Sequence, residues 1–412
     1  MFVFTVFFDG FHLFSPLKEV KDRGNIMIGN LILKSLNAIK ALLSRTVSID
    51  CDRIPYRFEN VSIKKILNWI VVETSMLFRP NRPLGWPTHL QIEPSTLCNL
   101  KCAFCPVTTG LHRLTGYMDV DIFKKVIDET GDFVFLILLW DWGEPFLNRS
   151  VYEMIAYAKK RDIKIVSSTN GHVFSRGHNG EALVASGIDV IIFAMDGISQ
   201  DTYERYRKGG DLEAVITGIE KVVAAKHALN SKTPLINLRF LAMKHNEHEI
   251  SKLKDFARSL EVDVLTVKTL NPYDQGECHS TKADGTEFMP LNPFYQRFEY
   301  DPKNQSRIRH MRNPCKRLWN NPVIHWDGKV SPCTFDPHDN YAVGDLKKDT
   351  FKDIWWGAPF ARLRRQFRKD YRKIGLCSEC TNAFKGGSLS TDIIAEAHFF
   401  NPTRSRRSSS SR

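Results

Sequence analysis

The sequence predicts an α/β fold whose centre is a parallel, barrel-like sheet covered by helices. Three observations predict it. Short apolar runs alternate with amphipathic segments from residue 89 onward, which is typical of parallel sheets with helical crossovers. The 412 residues, 42% of them hydrophobic, are enough for one large domain with extensions. Cysteines cluster behind the first predicted strand and again in the last third of the chain.

Residues 1–88 precede this alternation and are predicted to form a helical extension. Ile26–Leu43 and Ile63–Phe78 both have the apolar spacing of amphipathic helices. We interpret them as a cap packed on the main domain. The alternative is an interfacial basic helix that rests on anionic lipid. The proline-rich segment Pro80–Pro87 marks the boundary with the next domain.

Residues 89–300 are predicted to form a partial (β/α)6 TIM-like barrel. Ligands of such sheets bind at the carboxyl ends of the strands, so the residues that follow each strand are the candidates for a site. Strands are predicted at His89–Glu93, Phe133–Trp140, Ile163–Ser168, Ile188–Met195, Ile236–Met243 and Val262–Lys268. Helices are predicted near Asp121–Glu129, Val151–Arg161, Gly180–Ala185, Leu212–Leu229 and His248–Leu260.

Three cysteines follow the first strand on one short loop. Cys98, Cys102 and Cys105 have the spacing C-x-x-x-C-x-x-C. Three thiolates can hold three corners of a cubane iron–sulfur cluster and leave the fourth iron open to a small molecule. The alternative is a structural zinc site, which would need a fourth ligand from a later Cys or His.

This loop resembles the cysteine motif of the radical S-adenosylmethionine (radical SAM) superfamily, in which an aromatic residue, here Phe104, precedes the third cysteine. The resemblance implies a [4Fe–4S] cluster whose open iron chelates the amino and carboxylate groups of S-adenosylmethionine. It also implies that one electron from the cluster cleaves this cofactor to methionine and a 5′-deoxyadenosyl radical. The partial barrel of that family agrees with the predicted fold. The resemblance covers about residues 89–385.

The segment after the second strand resembles the family's Gly-Gly-Glu-Pro motif. Gly143, Glu144 and Pro145 match it, whereas Trp142 replaces the first glycine. In the family the backbone and the glutamate of this motif hold the amino group of the methionine moiety. We therefore expect Glu144 to accept hydrogen bonds from that ammonium group.

Further cofactor contacts are expected after the third and fourth strands. Ser168 and Asn170 belong to a segment that resembles the family's ribose-binding segment. Asp196 lies in a segment that resembles the family's Ser-x-Asp-Gly, with Ala194 in place of the serine. Arg207 could pair with a carboxylate of the cofactor or substrate, or could lie at the surface.

Residues 301–390 hold a second set of cysteines, Cys315, Cys333, Cys377 and Cys380. Together with the turns between them, this region resembles the SPASM/twitch extension of radical SAM enzymes. Four thiolates complete one closed [4Fe–4S] cluster, which would relay electrons rather than bind substrate. The alternative is a four-cysteine zinc ribbon. Residues 391–412 are predicted to be a disordered basic tail.

The resemblance implies abstraction of a hydrogen atom from a small-molecule, sugar or lipid-linked substrate, leading to dehydrogenation or epimerisation. An epimerase must return a hydrogen atom, and Cys278 is the candidate donor. A peptide-modifying maturase is the alternative, and it is disfavoured because residues 1–88 are predicted to carry helices without the strands of a leader-binding domain. Cys51 fits neither cysteine set and is expected to be inert.

The formal charge of +12 favours acidic partners. A flavodoxin- or ferredoxin-type electron donor is expected, and the N-terminal helices could contact a membrane peripherally. Nothing in the sequence resembles a nucleic-acid-binding module, so no nucleic acid is expected. Clustered ligand cysteines and the lack of a long apolar run predict a cytoplasmic protein. A non-catalytic iron–sulfur or zinc scaffold that binds an acidic partner is the remaining alternative.

Overall fold

The computed structural model describes residues 35–270, 287–299, 301, 303, 306–387 and 393–399. Cys278 and the first nine residues of the predicted helix Ile26–Leu43 lie outside these ranges. None of the described helices is both long enough and apolar enough to cross a membrane.

The N-terminal part combines helices with a β-hairpin. Helix α1 spans residues 35–44, and helix α2 spans Ile63–Phe78. Between them, strands β1 (Val47–Cys51) and β2 (Ile54–Phe58) pair antiparallel. The prediction of helices without strands in residues 1–88 is therefore wrong. The turn Asp52-Arg53 has positive φ at both residues, but it lacks the glycine that usually marks such a turn in a sequence.

Six parallel strands form the centre of the molecule, and all six predicted strands are confirmed. Each pairs with the next in chain order, so the parallel sheet runs linearly from first to last. The strands are β3 (His89–Ile92), β4 (Leu136–Leu138), β5 (Lys164–Thr169), β6 (Val190–Ala194), β7 (Leu235–Ala242) and β8 (Val264–Thr269).

Helices connect these strands, and the predicted helices are confirmed. Aspartates cap two of them, because the carboxylates of Asp119 and Asp211 accept hydrogen bonds from backbone amides of the first turn. The predicted helix His248–Leu260 is divided into a 3₁₀ turn and a short α-helix. The helices are α3 (Pro106–Thr109), α4 (Val120–Thr130), α5 (Val151–Lys159), α6 (Asn179–Ala185), α7 (Gln200–Tyr206), α8 (Leu212–Ala228) and α9 (Leu253–Ser259).

The C-terminal region extends the same sheet at both edges. Strand β9 (Val323–Ile324) pairs parallel with β3, and β10 (Lys329–Ser331) and β11 (Gly344–Asp345) follow it antiparallel. Strand β12 (Ile393–His398) pairs antiparallel with β8. The prediction of disorder from residue 391 is therefore wrong for β12, because this segment covers the open edge of β8. Helices α10 (Phe351–Trp355), α11 (Ala358–Asp370) and α12 (Gly375–Ser378) complete the region.

The two faces of the sheet belong to two separate apolar clusters. Alternate residues of a strand point to opposite faces. Ile165 and Ile191 pack against the helices. Val166 and Ile192 pack inward with the hairpin, where Tyr56 is buried. The hairpin therefore fills the inside of the open barrel.

The turn of the hairpin ends in a buried ion-pair cluster. The Asp52 carboxylate lies 2.7 Å from Arg239 on β7 and 2.7 Å from Lys268 on β8. The next inward-facing residues of those strands, Leu241 and Leu270, line a cleft at the carboxyl ends. The hairpin turn thus lies one layer of side chains below this cleft.

Candidate iron–sulfur and cofactor site

A cleft of about 310 Å³ opens at the carboxyl ends of β3 to β8, where the fold class predicts a site. Two predicted residues lie beside the cleft wall rather than in it. Pro145 is buried at the start of a 3₁₀ turn, and Asp196 is buried behind Arg207. The other residues predicted to hold the open cluster or S-adenosylmethionine line it, namely Cys98, Cys102, Phe104, Cys105, Gly143, Glu144, Ser168, Asn170 and Arg207.

The three cysteines of the first loop share the cleft, and two of their sulfur atoms have hydrogen-bond donors nearby. Asn170 Nδ2 lies 3.7 Å from Cys98 Sγ, and Arg207 Nη1 lies 3.7 Å from Cys102 Sγ. Burial raises the pKa of Cys98 to about 11 and that of Cys105 to about 12. These thiols keep their protons until a metal displaces them. A soft, three-sulfur donor set in a cleft fits a cubane cluster with one open iron.

The glycine of the second motif is required by its surroundings. Gly143 has a φ of 90°, and a Cβ there would overlap the carbonyl oxygen of Ser95. Trp142 does not have positive φ, so the departure from the family's first glycine causes no backbone strain. Its indole nitrogen instead donates to the carbonyl oxygen of Thr334 at 3.2 Å.

Glu144 is a buried carboxylate without a salt-bridge partner among the described residues. Its oxygens accept hydrogen bonds from the Asn170 amide at 2.8 Å, the Thr169 hydroxyl at 2.9 Å and the Phe146 amide at 3.2 Å. Burial nevertheless raises the pKa of Glu144 to about 7. A ligand ammonium group would supply the positive charge that this carboxylate lacks.

The guanidinium group of Arg207 lies inside the site, where it pairs with Asp196. Its Nε and Nη2 atoms both lie 2.7 Å from Asp196 Oδ2, and Asp196 Oδ1 accepts the backbone N–H of Leu241 at 2.9 Å. Burial by itself would lower the pKa of Arg207, but Asp196 and the nearby Cys102 raise it well above its usual range. The alternative of a surface position is therefore wrong.

The second cysteine set is buried in the C-terminal region, with Cys315, Cys333, Cys377 and Cys380 each at most 8% exposed. In the part of the chain that the structure describes, no three cysteine sulfurs lie within 4.8 Å of one another. Four buried thiols of this kind can ligate one closed cubane cluster or one zinc ion.

The sequence analysis missed a buried acid–base cluster beside the cleft. Glu93 follows β3, Asp141 follows β4 and His325 follows β9, and each has a ligand-type atom within 4.8 Å of the others. Arg113 forms two hydrogen bonds with Glu93, at 2.6 and 2.9 Å. The rule applied to the cysteines, that sites lie after strands, could have found Glu93 and Asp141. His325 could not have been found in this way, because it joins the cluster only through the non-local pairing of β9 with β3.

An open parallel barrel with three cysteines at its carboxyl end and four more in an appended region defines a protein with two iron–sulfur centres, one of them open to a ligand. Comparison with known families agrees. The model of the radical SAM superfamily matches residues 92–257, and that of the SPASM iron–sulfur cluster-binding domain matches residues 315–381. The chain belongs to the radical SAM superfamily of enzymes and carries a SPASM domain. Its cofactors are S-adenosylmethionine, the [4Fe–4S] cluster that binds it and an auxiliary cluster. The alternatives of a zinc site and of a non-catalytic scaffold are therefore wrong.

Proteins whose sequences are similar to this chain have diverse functions by name. The tungsten-containing aldehyde ferredoxin oxidoreductase cofactor-modifying protein of Pyrococcus furiosus is 25% identical, over 67% of this chain and 83% of its own. The AdoMet-dependent heme synthase of Methanosarcina barkeri is 23% identical over 71% and 88%. The mycofactocin maturase MftC of Mycobacterium ulcerans is 24% identical over 76% and 85%.

Among solved structures, SuiB of Streptococcus suis bound to its precursor peptide SuiA has a TM-score of 0.54. It is 14% identical, and the match covers 87% of this chain and 88% of that one. At this identity the likeness concerns the fold alone.

Proposed function

We propose that this enzyme cleaves S-adenosylmethionine reductively in the cleft and oxidises a C–H bond of a small-molecule, sugar or lipid-linked substrate. When bound, the cluster and S-adenosylmethionine supply a 5′-deoxyadenosyl radical that abstracts a hydrogen atom. The observation that carries the proposal is the convergence of the cysteine loop, Glu144 and Asn170 on one cleft.

The residues of the cleft have distinct proposed tasks. Cys98, Cys102 and Cys105 would ligate the open cluster, and Glu144 would accept hydrogen bonds from the ammonium group of the methionine moiety. Arg207, held by Asp196, places a guanidinium N–H near Cys102 Sγ. Hydrogen bonds to cluster sulfurs tune the reduction potential, so this pair would set the potential of the open cluster.

The remaining predicted contacts concern the rest of the cofactor. Ser168 lines the cleft and offers a hydroxyl to the ribose. Asn170 already donates to Asn99 Oδ1 at 2.8 Å, which fixes its orientation toward Cys98. Phe104 packs edge-to-face on Phe288 with the ring centroids 4.9 Å apart, and so provides an apolar wall that limits water around the cluster.

Dehydrogenation is favoured over epimerisation by the contacts of the auxiliary region. Thr334, directly after Cys333, donates a hydrogen bond from its hydroxyl to Asp141 in the cleft wall and accepts one from Trp142 at its carbonyl oxygen. The loop of Cys333, which would ligate the auxiliary cluster, thus contacts the cleft wall directly. Among the described residues that line the cleft, the only thiols are those of Cys98, Cys102 and Cys105. Cys278, the candidate hydrogen donor, lies outside the described residues.

A peptide substrate is the second candidate. MftC is a maturase by name, and SuiB was solved with its precursor peptide. The hairpin also removes the argument that residues 1–88 contain no strands. Its inner side and its turn are nevertheless buried in the barrel, where Asp52 is ion-paired, so it does not form a separate docking module. We therefore favour a small-molecule substrate over a peptide.

The test is anaerobic reconstitution followed by iron and sulfide analysis. Reduction with dithionite in the presence of S-adenosylmethionine should give 5′-deoxyadenosine, with about eight irons per chain for two cubanes. Cys102→Ala should abolish the nucleoside product, and Cys333→Ala should lose about four irons but keep some cofactor cleavage. Cys51→Ala is the matched control and should change neither. Full iron loading without 5′-deoxyadenosine would overturn the proposal.

A further inference from the structure

A second cavity, of about 540 Å³, lies at the end of the barrel opposite the cleft. Phe135 directly precedes β4 and Lys164 begins β5, so this amino-end cavity opens at the amino ends of those strands. Residues 60–62, which lead from the hairpin into α2, form another part of its wall. Since the cleft lies at the carboxyl ends, a ligand of the amino-end cavity would not share the site of the open cluster.

Cations outnumber carboxylates around the amino-end cavity. Its carboxylates are Glu59, Asp132 and Asp162. Glu59 already pairs with Arg57 at 2.9 Å, and Asp132 already pairs with Lys64 at 2.7 Å. The cations that line the cavity are Arg57, Lys65, Lys159, Lys160, Arg161 and Lys164. A concave wall with this balance of charge attracts anions.

Three lysines of this wall are only partly neutralised by the chain. Lys159 and Lys164 share a single carboxylate, that of Asp189, at 2.6 and 2.9 Å. Lys160 is exposed, and its Nζ lies over the ring of Tyr157 without an ion pair to any described residue. The wall therefore keeps positive charge that a bound anion would neutralise.

Lys65 is the most informative member of this wall, because it is both buried and unpaired. The residue is 7% exposed. Its Nζ lies 4.8 Å from the centroid of the Phe135 ring and forms no hydrogen bond or ion pair with the part of the chain that the structure describes. Asp162 and Asp132 act on it only from a distance, and burial lowers the pKa of Lys65 to about 8. A buried ammonium group without a counter-ion is costly, so one that lines a cavity is a candidate for ligand binding.

The first turn of α2 adds further hydrogen-bond donors. This helix is 16 residues long, and the hydroxyl oxygen of Ser62 caps it by accepting the backbone N–H of Lys65 at 3.2 Å. The backbone N–H groups of Ile63 and Lys64 have no acceptor among the described residues. Free amides at the positive end of a long helix attract anions.

We propose that the amino-end cavity binds a phosphate group, held by the ammonium group of Lys65 and by the first turn of α2. A phosphate has enough terminal oxygens to accept hydrogen bonds from Lys65 Nζ, from two backbone N–H groups and from the Ser62 hydroxyl together. Lys160, on the exposed part of the wall, would add a weaker attraction. The site lies away from the cleft and does not depend on the reaction proposed there.

The phosphate group could belong to a soluble compound or to a lipid headgroup. Ile63 and Leu67 lie one turn apart on α2 and are 52% and 50% exposed. A bilayer would cover these side chains while a headgroup phosphate entered the cavity, whereas a soluble phosphate would leave them exposed. The two sources therefore predict different effects of a substitution at Leu67.

The test is calorimetric titration of inorganic phosphate into the cluster-loaded enzyme without oxygen. S-adenosylmethionine is present to occupy the cleft, and chloride holds the ionic strength constant. We expect saturable binding of a single phosphate per chain. Lys65→Met should weaken this binding by about tenfold or more, because a hydrogen bond to a charged group contributes about that factor. Lys254→Met makes the same change at an exposed position of α9 and should leave the affinity unchanged.

A second variant and a second readout separate a binding residue from a structural one. Lys160→Met alters an exposed side chain and should weaken phosphate binding by about two- to fivefold. Lys65→Met removes a buried charge and keeps an unbranched side chain, so it should fold. Phosphate should raise the melting temperature of the wild-type enzyme and of Lys254→Met, but not that of Lys65→Met.

Vesicles identify the source of the phosphate group. Sedimentation with vesicles of phosphatidylcholine and phosphatidic acid is compared with sedimentation with phosphatidylcholine alone. A lipid source predicts binding only to the mixed vesicles, weakened by Lys65→Met and by Leu67→Asp, whereas Leu67→Asp should keep its affinity for inorganic phosphate. Binding of inorganic phosphate without binding to vesicles would support the site and assign it to a soluble compound.

Two results would overturn the phosphate site. One is the lack of saturable phosphate binding by the wild-type enzyme together with no preference for phosphatidic acid. The other is binding of either probe that survives Lys65→Met in full. None of these measurements uses 5′-deoxyadenosine, so the proposed function can fail while the phosphate site stands.

Discussion

The barrel contains two acidic sites of opposite character, one at the hairpin turn and one in the cleft at the carboxyl ends of the strands. At the hairpin turn, Asp52 lies between Arg239 and Lys268, each at 2.7 Å. In the cleft above, Glu144 receives hydrogen bonds from Asn170, Thr169 and Phe146 but has no salt-bridge partner among the described residues.

Their pKa values move in opposite directions. Burial alone would raise the pKa of Asp52, but Arg239 and Lys268 lower it below its usual range. Burial raises the pKa of Glu144 to about 7, because hydrogen bonds only partly offset it. Where the chain supplies the counter-charges, the carboxylate stabilises the fold. Where it supplies none, the carboxylate is available for a ligand.

The largest expected effect is on the hairpin side of this comparison. Asp52→Ala should lower the free energy of unfolding by about 3 kcal/mol, because it leaves the buried Lys268 and the partly buried Arg239 without their carboxylate partner. Urea denaturation of the loaded protein without oxygen measures this. Asp132→Ala is the control, since the ion pairs of Asp132 with Lys64 and Arg161 are both exposed and their loss should cost about 1 kcal/mol or less. Equal losses in the two variants would contradict the comparison.

A backbone change on the cleft side should come next. Gly143→Ala combines a left-handed backbone with overlap on the Ser95 carbonyl, so we expect a loss of about 3 kcal/mol. Gly177 also has positive φ, at 57°, but a Cβ there would make only an ordinary contact, with Asn179 Nδ2 at 4.0 Å. Gly177→Ala should therefore cost only about 1 kcal/mol. Thermal unfolding compares the two, and equal melting temperatures would show that the Ser95 contact is unimportant.

A smaller, functional effect is expected for the cleft carboxylate. Glu144→Gln should weaken binding of S-adenosylmethionine to the cluster-loaded enzyme about ten- to hundredfold. This is the usual contribution of a charged hydrogen bond to affinity. The stability of the variant should fall by about 1–2 kcal/mol, because the amide nitrogen of Gln cannot accept the backbone N–H of Asn170 or of Phe146. Calorimetric titration and urea denaturation measure both quantities. Unchanged affinity would remove Glu144 from the proposed site.

The pH dependence of stability should differ in sign between the two sites. Glu144 holds its proton more tightly in the folded state, with its pKa raised from 4.5 to about 7. The free energy of unfolding should therefore fall as the pH rises from about 5 to 7, by about 1–2 kcal/mol.

Asp52 contributes the opposite trend. Its stabilisation is present above its unfolded pKa of 3.8 and is lost as the pH falls toward the lower folded value. Glu144→Gln should reduce the slope between pH 5 and 7, and Asp52→Asn should leave that slope intact. Measurement of the loaded protein without S-adenosylmethionine at each pH checks this. A slope that survives Glu144→Gln in full would assign it to other groups, of which Asp141 is the first candidate.

Local patterns predicted most of the fold and half of the site. The six parallel strands follow from apolar runs, and the cysteine loop follows from spacing within eight residues, because both depend on neighbours in the sequence. The hairpin was missed because its turn, Asp52-Arg53, contains no glycine. Strand β12 was missed because its partner β8 lies more than a hundred residues earlier.

The sequence by itself determined the class of this protein, since ligand spacing and strand order are local properties that survive without tertiary contacts. Only the tertiary structure decided what each charged residue does. Asp52, Asp141 and Asp196 are alike in the sequence, yet their surroundings differ. The first is held by two strands of the barrel, the second lines the cleft with one buried oxygen that has no partner among the described residues, and the third holds Arg207. The physical reason is that a buried charge takes its energy from the groups around it, and the fold brings those groups from distant parts of the chain.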